Sequence, residues 1–140
     1  MILCDTNVLV ALMDRSQALS LRARKDLGRF EKQALAVIPA VLTETLFHLD
    51  TRSLRTAFRT WLRSARVESL SLLEQERRED DVLAWMLRYS EHAPDYADGC
   101  LCVLSGLIPK AKVWTYDSEF HTIWRRADGS RVPLAVPISR

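Results

Sequence analysis

The sequence predicts an α/β protein: a parallel sheet with helices packed on both of its faces. Two observations carry this reading. Short apolar runs, Ile2–Cys4 and Leu35–Ile38 and later Ala111–Thr115, are too brief for helices and end in polar residues or Pro. Longer stretches with helical spacing of apolar residues separate them. Strand and helix in alternation is the pattern of a parallel sheet with covering helices.

The elements follow in order. Ile2-Leu3-Cys4 reads as a buried strand, with Asp5-Thr6-Asn7 as its exit turn. Residues 16–32 form a charged helical segment. Leu35–Ile38 is a second strand, closed by Pro39. Val41, Leu42, Thr45, Leu46 and Leu49 then keep helical spacing. Over residues 53–65, Leu54, Ala57, Phe58, Trp61, Leu62 and Ala65 follow the i, i+3, i+4, i+7 rule of an amphipathic helix. Val67–Leu70 reads as a short strand. Ser71 with Glu74 makes a capping box for a long helix to about His92, ended by Pro94. Asp95 is an N-cap for a helix through Leu104. Ala111–Thr115 is a strand, Ser118–Arg125 a short helix and Val132–Val136 a last strand.

A chain of 140 residues, 48% hydrophobic and 27% charged, is expected to form one domain over residues 1–140 with its own core. The longest charge-free apolar run, about Ala34 to Thr43, is far short of the roughly 20 residues of a membrane span. The first residues carry Asp5 within an apolar stretch and have no basic flank, unlike a signal peptide. Three cysteines, Cys4, Cys100 and Cys102, make no spaced framework. They fit a reducing cytoplasm, the expected location.

Ligands of open parallel sheets collect beyond the carboxyl ends of the strands. Asp5 and Asp117 each lie just past a strand. Glu44 lies about one turn into the helix after the second strand, and Asp98 lies in the first turn of its helix. In a parallel sheet all four converge at one end. Clustered carboxylates raise one another's pKa unless a cation supplies positive charge. Oxygen-only ligands favour Mg²⁺ or Mn²⁺. Such an ion polarises a phosphoryl oxygen and acidifies water. Each Asp also has a plainer reading as a helix cap. Glu44 interrupts an apolar stretch and needs a partner.

Asp5-Thr6-Asn7-Val8-Leu9 resembles the opening motif of PIN domains. The helix with Glu44 after Val37-Ile38-Pro39-Ala40 resembles their second motif. Asp95-Tyr96-Ala97-Asp98-Gly99 resembles the third, and Thr115-Tyr116-Asp117-Ser118-Glu119-Phe120 the fourth. The size is similar to that of single-domain, VapC-like toxin ribonucleases. The resemblance implies a three-layer α/β/α sandwich with about five mostly parallel strands, and Mg²⁺- or Mn²⁺-dependent endoribonuclease activity. It implies Asp5, Glu44, Asp98 and Asp117 as the acidic quartet, Asp5 and Asp98 as metal ligands, and Asn7 and Thr115 as supporting polar residues. It further implies an RNA substrate, an antitoxin partner and a homodimer. Gly99 stands where the family commonly has Ala, which predicts a locally different backbone.

Charge is uneven along the chain. Residues 15–66 hold 11 Lys/Arg and 4 Asp/Glu, whereas residues 67–140 hold 9 and 12. A basic segment of this kind suits a polyanion. Arg52, Arg55, Arg59, Arg63 and Arg66 form a stripe opposite the apolar face of their helix. Arg22, Lys25, Arg29 and Lys32 repeat the pattern. Phosphate contacts to RNA are expected from the first stripe, at Arg52, Arg55, Arg59 and Arg63. The alternative is a solvated surface.

Cys100 and Cys102 lack zinc-site spacing and read as small core residues. Trp61, Trp85, Trp114 and Trp124 read as core or interface. The competing functions are a receiver-type phosphoacceptor domain, a phosphohydrolase with a nucleophilic Asp, and a catalytically inactive RNA-binding module on the same fold. The first lacks the expected Asp and Lys pair. The second usually shows Asp-x-Asp, where this chain has Asp5-Thr6-Asn7.

Overall fold

The structure, a computed structural model, describes residues 1–138, so the last two positions of the expected 1–140 domain lie outside the described residues. Four strands form an all-parallel sheet: β1 (Ile2–Cys4), β2 (Leu35–Val37), β3 (Glu68–Ser69) and β4 (Lys112–Trp114). The spatial order is β3-β2-β1-β4. Leu3 pairs with Ala36 on one side and Val113 on the other. The central strand is buried along its whole length, which explains its uninterrupted apolar sequence. Helices α1 (Thr6–Met13), α2 (Ser20–Gly28), α3 (Pro39–His48), α4 (Arg52–Ser64), α5 (Leu72–Gln75), α6 (Glu79–Arg88), α7 (Tyr96–Leu107) and α8 (Glu119–Thr122) flank the sheet in an α/β/α arrangement.

The chain adds β2 and then β3 on one side of β1, and returns to place β4 on the other. The gap between the carboxyl ends of β1 and β4 is therefore the topological switch point, where a cleft forms. Asp5 leaves β1 at that gap, and Thr115 to Asp117 leave β4 there. The Asp5 amide donates to the Trp114 carbonyl at 3.0 Å, which joins the two exits.

Several elements depart from the sequence reading. The fifth strand is reduced to a single parallel bridge, Val113 to Leu134, because Pro133 offers a carbonyl but no N–H to a ladder. Helix α2 starts at Ser20 rather than residue 16. The Asp14 carboxylate accepts from the Ser16 amide at 3.0 Å and from its hydroxyl at 2.7 Å, and holds the turn outside the helix. The long helix expected from Ser71 to His92 is broken. Ser71 makes no side-chain cap, and α5 ends in a Schellman turn: Arg77 has φ 55°, and Arg78 N–H reaches the Leu73 carbonyl at 2.8 Å. Helix α6 begins after that turn, and a 3₁₀ turn, Ser90–His92, follows it.

Helix α7 is buried through most of its length and packs on α6. Gly99 has an ordinary helical backbone, contrary to the expected deviation. A Cβ at Gly99 would stand 2.9 Å from Val82 Cγ1 and 3.0 Å from Trp85 Cε3. Glycine is there to let α6 approach. The cysteines are all unpaired and buried, Cys100 and Cys102 on α7. Trp85, Trp114 and Trp124 are core residues, while Trp61 is half-buried at its edge.

Candidate active site

A cleft of about 430 Å³ opens at the switch point. Its wall holds all four acids singled out in the sequence, Asp5, Glu44, Asp98 and Asp117, together with Asn7. Each arrives on a different element. Asp5 ends β1 and precedes α1. Glu44 lies on α3, Asp98 in the first turn of α7, and Asp117 between β4 and α8.

Asp5 is buried, and its oxygens are well supplied with donors. Oδ1 accepts from the Thr6 amide at 2.7 Å. Oδ2 accepts from the Thr115 hydroxyl at 2.7 Å and the Asn7 side-chain amide at 3.4 Å. Burial nevertheless pushes its pKa up to about 6, with Asp117 and Asp95 adding repulsion that the Thr115 and Thr6 bonds only partly offset. Asn7 and Thr115 sit where supporting residues were expected. The Asn7 amide also donates to the Thr115 hydroxyl at 3.2 Å, and its carbonyl accepts from the Tyr116 amide at 3.1 Å.

Asp98 and Asp95 form a reciprocal capping box. The Asp98 amide donates to Asp95 Oδ1 at 2.7 Å, and the Asp95 amide to Asp98 Oδ2 at 3.3 Å. Burial, then the charges of Asp95 and Asp5, push Asp98 up to about 8. Glu44 finds the partner its apolar setting requires: the Thr6 hydroxyl donates to Oε2 at 2.9 Å. Its pKa is raised, by burial first and then by Asp95, against the lowering bond from Thr6. Asp117 has both of its sequence readings at once. It faces the cleft, and its Oδ1 accepts from the Glu119 amide at 2.9 Å at the start of α8.

Among the cleft residues not singled out from the sequence, Thr6, Asp95 and His48 bear most on its chemistry. Thr6 anchors Glu44. Asp95, read there only as a cap, is a fifth carboxylate in the wall. His48 lines the cleft as well, and the signal for it was present, because it lies four residues after Glu44 on the same helical face.

The basic stripes fare unevenly. Arg55 is partly committed elsewhere. Its Nε donates to the Leu49 carbonyl at 2.7 Å and its Nη2 to the Leu46 carbonyl at 3.0 Å, capping the end of α3. Arg52, Arg59 and Arg63 are exposed and form no ion pair among the described residues. On α2, Arg22 and Arg29 pair with the buried Asp26 at 3.6 and 3.3 Å. Arg22 also lies over the Tyr116 ring, whose hydroxyl donates to Asp26 at 2.8 Å. That stripe is largely a tether between α2 and the β4 exit.

The donor set suits a hard divalent cation: it is carboxylate-rich, has no thiolate, and carries more negative charge than its buried setting tolerates alone. Among the described residues no three His, Cys, Asp or Glu side chains close tightly enough on one point to cage an ion. No helix among the described residues is long and apolar enough to cross a membrane.

No curated protein matches the chain. The profile described as "PIN domain" matches residues 2–124, an interval that contains all five carboxylates and every strand. This match displaces the receiver-type reading. PIN domains are in general nucleases that use divalent metals. With the profile spanning nearly the whole chain and the acids brought to one cleft, the protein belongs to the PIN-domain family.

Proposed function

We propose that the protein is a Mg²⁺- or Mn²⁺-dependent endoribonuclease, acting as one domain over residues 1–140. Asp5, Glu44, Asp98 and Asp117 are its catalytic acids, and Asp5 and Asp98 its metal ligands. The observation that carries this is the convergence of the four acids on one cleft at the sheet's switch point. When bound, the ion supplies Lewis acidity toward a phosphoryl oxygen and toward water. The remaining work falls to the chain. Thr115 and Thr6 fix both oxygens of Asp5. Glu44, oriented by the Thr6 hydroxyl, holds the attacking water and accepts its proton. The water oxygen forms the new bond to phosphorus as the bond to the 3′-oxygen breaks, and the departing 3′-oxygen takes a proton from solvent water. The products are a 3′-hydroxyl and a 5′-phosphate. Arg52, Arg59 and Arg63 bind RNA phosphates, whereas Arg55 holds the end of α3.

Incubating the purified protein with structured RNAs, with and without EDTA, and sequencing the ends tests the reading. Metal-dependent cleavage with 5′-phosphate ends supports it. Chelator-insensitive cleavage or 2′,3′-cyclic ends overturn the metal mechanism, and intact RNA in both cases favours an inactive RNA-binding module.

We further infer a cytoplasmic toxin of a type II toxin–antitoxin module, acting as a homodimer. The PIN-type motif order supports this, as does an acidic mouth that an Arg- or Lys-bearing antitoxin segment can occupy. Harmless unregulated expression removes the toxin role. A monomer by light scattering at high micromolar concentration removes the dimer.

A further inference from the structure

Helix α3 carries three residues on one face in succession. Phe47 and His48 follow Glu44 by three and four positions, so both lie one turn along from a catalytic acid. His48 is the only aromatic ring among the side chains of the cleft wall, which otherwise offers carboxylates, small polar groups and aliphatic chains. Phe47 stands beside it, edge to face, with ring centroids 5.7 Å apart. Phe47 is 81% exposed, and its ring stands against a cleft-lining side chain.

We propose that Phe47, with the His48 ring standing nearly perpendicular beside it at 83°, offers a stacking platform for one unpaired nucleobase beside the scissile phosphate. The proposal rests on the nuclease reading and specifies its substrate. Two arguments select a base as the occupant. The platform adjoins the cleft through His48, so a strand whose phosphate lies among the acids can lay a neighbouring nucleotide along α3. The apolar patch is also too small for a stable protein interface. One phenyl ring offers on the order of 200 Å², against roughly 800 Å² per partner in a specific complex. Its exposed neighbours Thr43, Asp50 and Thr51 are polar. Bases in a duplex are stacked on both sides and cannot splay onto a protein ring, whereas unpaired bases can.

The test uses the full chain with Mg²⁺ and a short single-stranded RNA, a duplex of the same sequence, and a series in which one abasic nucleotide is moved along the single strand. The wild-type protein is expected to prefer the single strand and to lose about tenfold in KM when one base flanking the cut is missing. Phe47→Ala is expected to raise KM for the intact strand about tenfold, leave kcat within about twofold, and no longer sense the missing base. Phe47→Trp should retain discrimination. Because Phe47 is exposed, its melting temperature should not move.

A Phe47→Ala protein with wild-type KM, or with the abasic penalty undiminished, overturns the platform while leaving the nuclease reading intact. An unchanged KM with conversion of a dimer to monomer assigns Phe47 to a second copy and overturns it equally. If the wild-type protein neither cleaves the strand nor binds it by fluorescence anisotropy, the nuclease reading fails, and the platform with it.

Discussion

The Thr115 hydroxyl donates to Asp5 Oδ2 at 2.7 Å, joining two residues 110 positions apart in the chain. The same oxygen accepts from the Asn7 side-chain amide at 3.2 Å and the Asp117 amide at 3.0 Å. A hydroxyl has one proton and two lone pairs, and all three are used. Thr115 thus holds the exits of β1 and β4 in register and aims Asp5 and Asp117 into one cleft.

Thr115→Val keeps the shape and removes the hydroxyl. It leaves Asp5 short of a donor and two N–H groups short of an acceptor. A loss of about 1–3 kcal/mol is expected in chemical denaturation, largely recovered in Thr115→Ser. Because that bond holds the Asp5 pKa down, the valine variant should titrate Asp5 still higher. A valine variant as stable as wild type would show that the network positions nothing.

The acids also set a pH dependence. Asp5 at about 6 and Asp98 at about 8 both lie above the ordinary Asp value of 3.8. Between 3.8 and those values the folded chain holds more protons than the unfolded one, so stability falls as pH rises. In chelator the contribution of these two groups is full below about pH 4 and lost by about pH 8. Divalent metal should flatten the loss, since the ion replaces the missing protons. Melting curves across this range, with EDTA and with Mg²⁺, check it. A chelated protein that gains stability from pH 6 to pH 8 contradicts it.

The acids were legible in the sequence because each sits at a junction with its own local signal. An apolar run ending in Asp marks Asp5 and Asp117, a helix start marks Asp98, and a charge within an apolar stretch marks Glu44. What failed to show was set by partners distant in the chain. The break after Gln75 lies in an amphipathic pattern that continues across it, and Arg77 rather than Gly takes the left-handed position. Arg66 likewise takes a left-handed position, φ 50°, just past α4, but there the apolar spacing itself stops at Ala65 and the helix end was legible. Arg55 looked like its stripe mates because nothing local reveals that its guanidinium reaches back to α3. Asp95 was hidden by its own success as a cap, since capping explained it fully.

Gly99 illustrates a residue whose reason is packing alone. Ala is the better helix former by roughly 1 kcal/mol, so on propensity Gly99→Ala should stabilise α7. The Val82 and Trp85 side chains at 2.9 and 3.0 Å from the added carbon reverse the sign. A net loss of about 1–3 kcal/mol is expected. Activity should fall too, because Asp98 precedes Gly99. A Gly99→Ala protein that melts higher than wild type would mean that α6 yields freely.

The arginines of α4 separate by role. Arg59→Glu with Arg63→Glu should weaken RNA binding and flatten its salt dependence, with little change in melting temperature. Arg55→Ala should lower the melting temperature, since it strips two carbonyls at the end of α3 of their donor. An unchanged salt slope in the double variant returns Arg59 and Arg63 to the solvated surface.

Asp5→Asn and Asp98→Asn should both abolish cleavage, yet they should differ in stability. Asp98 accepts a single bond, from the Asp95 amide at 3.3 Å, and Asn retains an oxygen for it. Above the Asp98 value of about 8 the wild-type carboxylate is charged and repelled by Asp95 and Asp5. Asn removes that repulsion, so in EDTA the variant should melt at or above wild type. Asp5 is different, because both of its oxygens accept, from Thr6 on one side and from Thr115 and Asn7 on the other. In Asn one of those oxygens becomes an amide that faces donors, and either orientation leaves a clash of N–H groups. Asp5→Asn should therefore melt below wild type in EDTA even with its charge gone. With Mg²⁺ at a hundredfold excess over Kd, wild type should gain roughly 2.7 kcal/mol, and both variants should lose most of that gain. Six melting curves, three proteins with and without metal, decide the assignment. An Asp98→Asn protein that keeps the full metal-induced gain would show that the ion is held elsewhere, and that Asp98 serves α7 rather than the metal.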